Sequence, residues 1–188
     1  MGRTIACINM SLNGLMDHEL LSPDQQIHDH YRMLLEESEV LLLGKKSYEL
    51  STYWNNPALQ NSDDRAVRDF ANAVDLIEKV VFSSSVKKLD WHTARISRRG
   101  LEEETKFLKK HSVGNILIGS PSLINQLSTA GLIDEYQILI HPIISSKGTP
   151  LFNKISDPIN LRLMYNENFA SGAQLNYYIP KKIKNKKA

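Results

Sequence analysis

The chain has 188 residues, of which 41% are hydrophobic and 23% charged, and a formal net charge of +2. Those proportions exclude disorder, collagen and coiled coil as descriptions of the whole chain, and the length suits one domain better than two. The single cysteine, Cys7, excludes an intramolecular disulfide and a cysteine-cluster metal site, and within an apolar strand pattern it reads as a buried, inert thiol.

Short apolar runs alternate with amphipathic helical stretches, the pattern of an α/β domain. Thr4 to Met10 reads as a buried first strand that ends in the loop signal Ser11-Leu12-Asn13-Gly14. Ser22-Pro23-Asp24-Gln25 reads as a helix start with Ser22 as N-cap, followed by Ile27, Tyr31, Leu34 and Leu35 on one face. Val40 to Leu43 is a short strand, and Lys45 to about Trp54 a short helix. Pro57 and Asn61-Ser62-Asp63-Asp64 suggest a loop, with a helix near Arg65 to Ala73. Lys79 to Phe82 and Thr93 to Ile96 read as strands, and Leu101 to Lys110 as a charged amphipathic helix. Asn115 to Ile118 is a strand, Ser120-Pro121-Ser122 opens another helix, and Gly131 stops it. Tyr136 to His141 is a further strand. Leu161 to Tyr165 and Gln174 to Ile179 close the fold as an antiparallel pair on one edge.

Five lysines (Lys181, Lys182, Lys184, Lys186 and Lys187) lie in the last eight residues. Without those five, 18 basic groups face 21 acidic ones over residues 1–180. The basicity therefore belongs to a tail, read as a frayed, disordered end over 181–188 behind a single domain over 1–180, and nucleic acid is not expected as a partner. The longest apolar runs are far short of a membrane span, and no signal-peptide hydrophobic region follows Met1. A cytoplasmic protein without a membrane partner is expected.

Three strand ends carry the chemistry. Val40–Leu43 runs into Gly44-Lys45-Lys46-Ser47, Lys79–Phe82 into Ser83-Ser84-Ser85, and Ile116–Ile118 into Gly119-Ser120-Pro121-Ser122. In a parallel sheet all three would lie on the carboxyl edge, where open α/β sheets bind ligands. Helix N-termini offer unpaired N–H groups, the glycines allow close backbone approach, and the lysines add charge. Each junction alone is an ordinary βα turn; the three in this order suit an extended phosphorylated ligand such as a dinucleotide. The upstream glycine of a Walker A loop and the G-x-G-x-x-G of a Rossmann turn are both absent.

These segments, with Met10-Ser11-Leu12-Asn13-Gly14, Gly131-Leu132-Ile133-Asp134-Glu135 and Lys147-Gly148-Thr149-Pro150-Leu151-Phe152, fall in a sequence that resembles the dihydrofolate reductase-like superfamily. The most similar branch is the C-terminal reductase domain of the bacterial bifunctional deaminase-reductase of riboflavin biosynthesis, matched over about residues 3–179. The resemblance implies a three-layer α/β fold with a mixed, mostly parallel sheet flanked by helices. It also implies an NADPH-dependent reductase of a small heterocyclic, pyrimidine- or pterin-like substrate, similar to 5-amino-6-(5-phosphoribosylamino)uracil reductase. Carried over, Gly44, Lys45, Lys46 and Ser47 would face the cofactor's phosphates, and Ser83, Ser84 and Ser85 its 2′-phosphate side. Gly119, Ser120, Pro121, Ser122 and Leu123 would line the pyrophosphate and nicotinamide, with Ser11, Asn13 and Gly14 near the nicotinamide. A homodimer is expected from the same branch. The chain departs from the branch in having Gly119-Ser120 for Gly-Gly, Asn13-Gly14 for Asp-Gly, and Ser146-Lys147-Gly148 for Gly-x-Gly.

A reductase of this kind must hold two reacting carbons about 3–3.5 Å apart and receive a proton. The first long helix would wall the substrate pocket, which makes Asp24 and Asp29 the candidate catalytic carboxylates, although for Asp24 a first-turn helix-dipole role ranks above catalysis. Asp29 and His30 read as solvated surface, and His28, one turn from Asp24, as at most half a metal site; no metal is expected. His141 reads as a satisfied strand-end histidine, and Trp54, Trp91 and Tyr136 as packing. The alternative to an enzyme is a non-catalytic nucleotide-binding dimer that keeps the fold, motivated by Asn13 and Ser120.

Overall fold

The computed structural model describes residues 2–17 and 24–181. Ten strands are present there: β1 (Thr4–Ser11), β2 (Leu15–Met16), β3 (Ser38–Gly44), β4 (Glu78–Phe82), β5 (Ala94–Ile96), β6 (Asn115–Ile118), β7 (Glu135–His141), β8 (Thr149–Pro150), β9 (Leu161–Asn168) and β10 (Gln174–Pro180). Six α-helices connect them: α1 (Gln25–Glu36), α2 (Lys45–Ser51), α3 (Pro57–Gln60), α4 (Arg65–Leu76), α5 (Leu101–His111) and α6 (Pro121–Thr129). Eight strands form one sheet in the order β5-β4-β3-β6-β1-β7-β10-β9, while β2 and β8 pair separately. The sheet is parallel from β5 to β7 and antiparallel from β7 to β9. The expected mixed, mostly parallel three-layer α/β fold is present.

The strand periodicity of two builds both outer layers. Val40 and Leu42 point to the face where α5 and α6 bury Leu108, Leu123, Ile124 and Leu127. Leu41 and Leu43 point to the other, where α1, α2 and α4 bury Leu34, Leu35, Tyr48 and Val74. Cys7 is buried on that second face, and burial pushes its thiol up to about 12, which makes it inert.

Several boundaries differ from the sequence expectation. The N-cap of α1 is Asp24 rather than Ser22, since the Asp24 carboxylate accepts the Ile27 N–H at 2.9 Å; aspartate caps as well as serine does. Ser22 and Pro23, like all of the lysine tail except Lys181, lie outside the described residues. The expected loop at Pro57 is one turn of helix capped by Asn56, and α4 runs on to Leu76. Strand β9 is three residues longer than expected. Gly131 closes α6 as anticipated: its φ is +64°, and the Leu132 and Gly131 N–H groups return to the Leu127 and Ser128 carbonyls. Among the described residues no helix is long and apolar enough to cross a membrane.

One buried cation sits beneath the sheet. Lys79 is fully buried, and its Nζ donates to the carbonyls of Ile77 (2.8 Å) and Asp75 (3.1 Å) and to Thr93 Oγ1 (2.7 Å). It also lies 4.0 Å from the centroid of the buried Trp91 ring, whose Nε1 donates to Asp75 Oδ1. Burial pushes the Lys79 ammonium down to about 8, against the pull of Asp75. The unfolded chain, with an ordinary value of 10.5, therefore holds more protons between these pH values. Folding stability contributed by Lys79 rises as pH increases from about 8 to about 10.5. Urea unfolding of wild type and Lys79→Met over that range should show the wild type gaining stability relative to the variant. A difference that stays flat with pH refutes this.

Candidate functional site

Strands β3 and β6 are neighbours, yet their following helices leave on opposite faces of the sheet, α2 with the second core and α6 with the first. This is a topological switch point, where an open α/β sheet forms a crevice at its carboxyl edge. Gly44 pairs with Phe82, so Ser83 follows beside Lys45; Leu42 pairs with Ile118, so Gly119 and Ser120 follow beside Gly44. The three junctions are thereby side by side. The Gly44 N–H donates to Ser120 Oγ at 2.8 Å. A Cβ on Gly44 would meet Ser122 Oγ at 3.3 Å and Ser120 Oγ at 3.7 Å, so glycine keeps this close approach open.

Ser120 stands at the N-cap of α6 but makes no side-chain hydrogen bond to that helix. Its hydroxyl is turned inward to Gly44 and is fully buried, so it does not obstruct the rim. The first turn of α6 is left without a side-chain cap, and the Ser122 and Leu123 N–H groups lack intrahelical partners. Pro121 has no N–H to satisfy. Lys45 and Lys46 are exposed. Lys45 lies 3.8 Å from Glu49, and Lys46 has no ion-pair partner among the described residues. Ser47 is half-buried. Ser83 Oγ accepts the N–H groups of Ser85 (3.2 Å) and Val86 (3.0 Å), which pins the serine loop and leaves Ser84 and Ser85 exposed.

The ends of β1 and β7 extend the rim. Ser11 is opposite His141 in the β1–β7 pair. Ser11 Oγ donates to Asn13 Oδ1 at 2.8 Å, Asn13 Oδ1 also accepts the Ser145 N–H at 3.0 Å, and Asn13 Nδ2 donates to the Ser145 carbonyl at 2.8 Å. An aspartate at 13 would lack that donor, so the asparagine serves as a latch between the loops after β1 and β7. Gly14, with φ of +79°, turns the chain into β2, which pairs with β8. Ser145 was not anticipated from the sequence; only the Asn-Gly turn pointed near it.

Asp24, besides capping α1, has its carboxyl held below the ordinary range: burial raises it, and the Ile27 N–H and Ser171 hydrogen bonds overcome that. The structure places it as the cap of α1, the helix-terminus role ranked first from the sequence. His141 is at the strand end, but its buried Nε2 lacks a hydrogen-bond partner, contrary to the satisfied histidine expected. Burial lowers its pKa, and Asp24 opposes that. His30 is not solvated surface either: its ring packs near Phe169 and Tyr177, with Nε2 buried. His28 stacks on Phe70 at 5.3 Å and meets Trp54 edge-on. Trp54 and Trp91 are packing residues, as is Tyr136, whose hydroxyl donates to Ser128. Among the described residues no three His, Cys, Asp or Glu side chains gather in a way that could hold a metal ion.

The Gly-Leu-Ile-Asp-Glu segment lies at the opposite, amino edge of the sheet. Asp134 accepts from Lys109 Nζ and from the Thr4 N–H and hydroxyl, and Arg3 bonds Glu135, so the segment ties β7 to β1 structurally. Two hollows of about 450 and 840 Å³ also lie at that edge. Size alone would select them, but Glu36, Glu39, Asp69 and Glu78 wall the first, and would repel a polyanion. In the second, Lys109 and Arg3 are already committed to Asp134 and Glu135, and Lys181 is a lining cation without an ion-pair partner among the described residues. The carboxyl rim adds helix N–H donors and exposed serines to its lysines.

The profile of the RibD C-terminal domain matches residues 10–175. Uncharacterized protein YyaP of Bacillus subtilis (strain 168) is 31% identical over 160 residues, which are 85% of this chain and 81% of that protein. A putative riboflavin biosynthesis protein from Shewanella sp. PV-4 superposes with a TM-score of 0.74 at 17% identity, over 96% of this chain and 99% of that one. Acinetobacter baumannii RibD gives a TM-score of 0.71 at 15% identity, over 97% of this chain and 59% of RibD. The two solved structures speak to the fold, and the sequence match to the family: this chain belongs to the RibD C-terminal domain family.

Proposed function

We propose that the protein is an NADPH-dependent reductase of a small pyrimidine- or pterin-like heterocycle, similar to the 5-amino-6-(5-phosphoribosylamino)uracil reductase of riboflavin biosynthesis. The observation that carries this reading is that Gly44, Ser83 and Ser120–Ser122 lie side by side at the switch point on the carboxyl edge of the sheet. The rim fits a dinucleotide: an uncapped helix start, a lysine without an ion-pair partner among the described residues and an exposed serine loop follow one another along it. Lys45, Lys46 and Ser47 would hold phosphate oxygens, while Gly44, whose N–H is given to Ser120, would keep the two junctions close together. Ser84 and Ser85 would receive the 2′-phosphate, and Gly119 to Leu123 the pyrophosphate. Ser11, Asn13 and Gly14 would bound the nicotinamide end. The nicotinamide, when bound, supplies a hydride. The chain's own task is orientation and exclusion of water, with a proton arriving from water or a side chain.

Thermal unfolding with NADPH and with NADH tests the reading. At about 100-fold excess over Kd, NADPH should raise Tm by roughly 5–10 °C. NADH should raise it less, and equal shifts or none reject the 2′-phosphate seat. Oxidation of NADPH with pyrimidine and pterin substrates then separates an enzyme from a nucleotide-binding protein that keeps the fold.

A further inference from the structure

Among the described residues, buried nitrogen or oxygen atoms without a hydrogen-bond partner occur on His30, Tyr48, Gln137 and His141. A buried polar group left unmatched is costly, so each calls for a reason. His30 and Gln137 are close enough beneath α1 for Gln137 to favour the imidazolium of His30. Tyr48 lies inside the second core with Leu43, Val81 and Trp91. His141 differs in its place: it is the last residue of β7, at the carboxyl edge of the sheet, and is 7% exposed.

Strand order puts His141 next to the rim. Across the carboxyl edge the strand ends run Phe82, Gly44, Ile118, Ser11 and His141, following β4-β3-β6-β1-β7. With pyrophosphate at the β3 and β6 junctions and the nicotinamide at Ser11, the next place along the edge belongs to β7, one strand spacing of about 5 Å further on. Ser11 and His141 are paired residues, so their side chains stand on one face. It is the α1 face, where Asn9 meets the Tyr31 hydroxyl and Leu139 packs with Ile27. Ser11 Oγ is occupied by Asn13 and Leu15 and does not serve the imidazole. From α1, Asp24 acts on the ring through its charge, while its carboxylate is held by the Ile27 N–H and by Ser171. The β9–β10 turn stands beside the strand end, with Gly172 against Pro142. Burial keeps the imidazole below its ordinary pKa, so at neutral pH the ring is uncharged, and Nε2 is a donor in one tautomer and an acceptor in the other.

We propose that His141 is a substrate-binding residue, whose Nε2 makes a hydrogen bond to the amide edge (ring N–H or carbonyl) of a pyrimidine- or pterin-like ring held beside the nicotinamide. This rests on the reductase reading above for what lies at Ser11. An amide edge carries both a donor and an acceptor, so it suits either tautomer. A buried nitrogen aimed at such an edge also rejects rings that lack it, because the nitrogen is then left unmatched. The contact orients the ring and transfers no proton.

The test compares the wild type with His141→Gln and His141→Asn, each in the presence of NADP⁺ so that no turnover occurs. Glutamine carries its amide about as far from the backbone as Nε2, whereas asparagine reaches only as far as Nδ1. The probes are 5-amino-6-(5-phosphoribosylamino)uracil and dihydropterin, titrated calorimetrically. At least one should bind the wild type. His141→Asn should raise its dissociation constant roughly tenfold or more, and His141→Gln should stay within about threefold of wild type. NADP⁺ affinity and circular dichroism should be alike in all three proteins. In heteronuclear NMR spectra of the wild type, the Nε2 signal of His141 should move when the probe is added, a readout that needs no variant to fold. His141→Asn equal to wild type, a loss that His141→Gln shares in full, an Nε2 signal that ignores the probe, or a wild type that binds neither probe overturns the proposal. Probe binding that follows the expected pattern without NADP⁺ uptake would remove the cofactor reading and leave the His141 contact standing.

Discussion

Replacing Gly148 with alanine is expected to lower folding stability by about 2–4 kcal/mol, the largest single-residue effect at the rim. Gly148 has φ of +122°, a conformation that an L side chain rarely adopts. An added Cβ would also stand 2.6 Å from the Met16 carbonyl oxygen and 3.0 Å from its carbon, both backbone atoms that cannot turn aside. Relief of the clash would part β8 from β2, whose pairing runs through Met16 and Thr149. Three residues on, Leu151 is 1% exposed; its N–H donates to the Gly14 carbonyl and its carbonyl accepts from Asn125 Nδ2, so its anchorage would loosen too. Urea unfolding measures the change, and a loss under about 0.5 kcal/mol would show that β2 and β8 yield easily. The Lys-Gly-Thr-Pro-Leu-Phe segment thus has a structural duty whatever the activity: its glycine lets the loop after β7 lie against the loop after β1.

Ser84→Glu is expected to weaken NADPH binding at least tenfold while leaving NADH binding nearly unchanged. The new carboxylate would face the 2′-phosphate in the proposed seat, and like charges about 4 Å apart at a protein surface repel by up to ~4 kcal/mol, less after screening by salt. Ser84 is the sharper position because it is exposed, whereas Ser83 uses its hydroxyl to hold the Ser85 and Val86 N–H groups. Ser83→Glu would disturb the loop and the ligand together. Isothermal titration with both nucleotides separates the two effects; unchanged NADPH affinity would remove the serine loop from the site. An unaltered Tm in the variant shows that the fold is not the cause.

The fold was largely legible because its signals are local. The unbroken apolar run Val40–Leu43, the apolar stripe of Ile27, Leu34 and Leu35, and the glycine stop at Gly131 each involve residues within a few positions of one another. Errors fell where two local signals competed. Ser22 read as the cap and Asp24 as a first-turn residue, and it is Asp24 that accepts the Ile27 N–H. At Pro57 a loop signal concealed one turn of helix that Asn56 caps. The pairing of β2 with β8 had no local signal, since two residues show no period and their partners are far apart in sequence.

By itself, the sequence determined the strands and helices, the order of the three junctions and the family to which they belong, because periodicity and turn chemistry act between chain neighbours. Tertiary structure alone decided which polar groups at the rim remain available. Ser120 Oγ accepts a Gly44 N–H 76 positions away, Asn13 spends its amide on Ser145, and Lys46 keeps an ammonium without an ion-pair partner among the described residues. Long-range hydrogen bonds depend on strand register, and register follows from how the whole sheet packs.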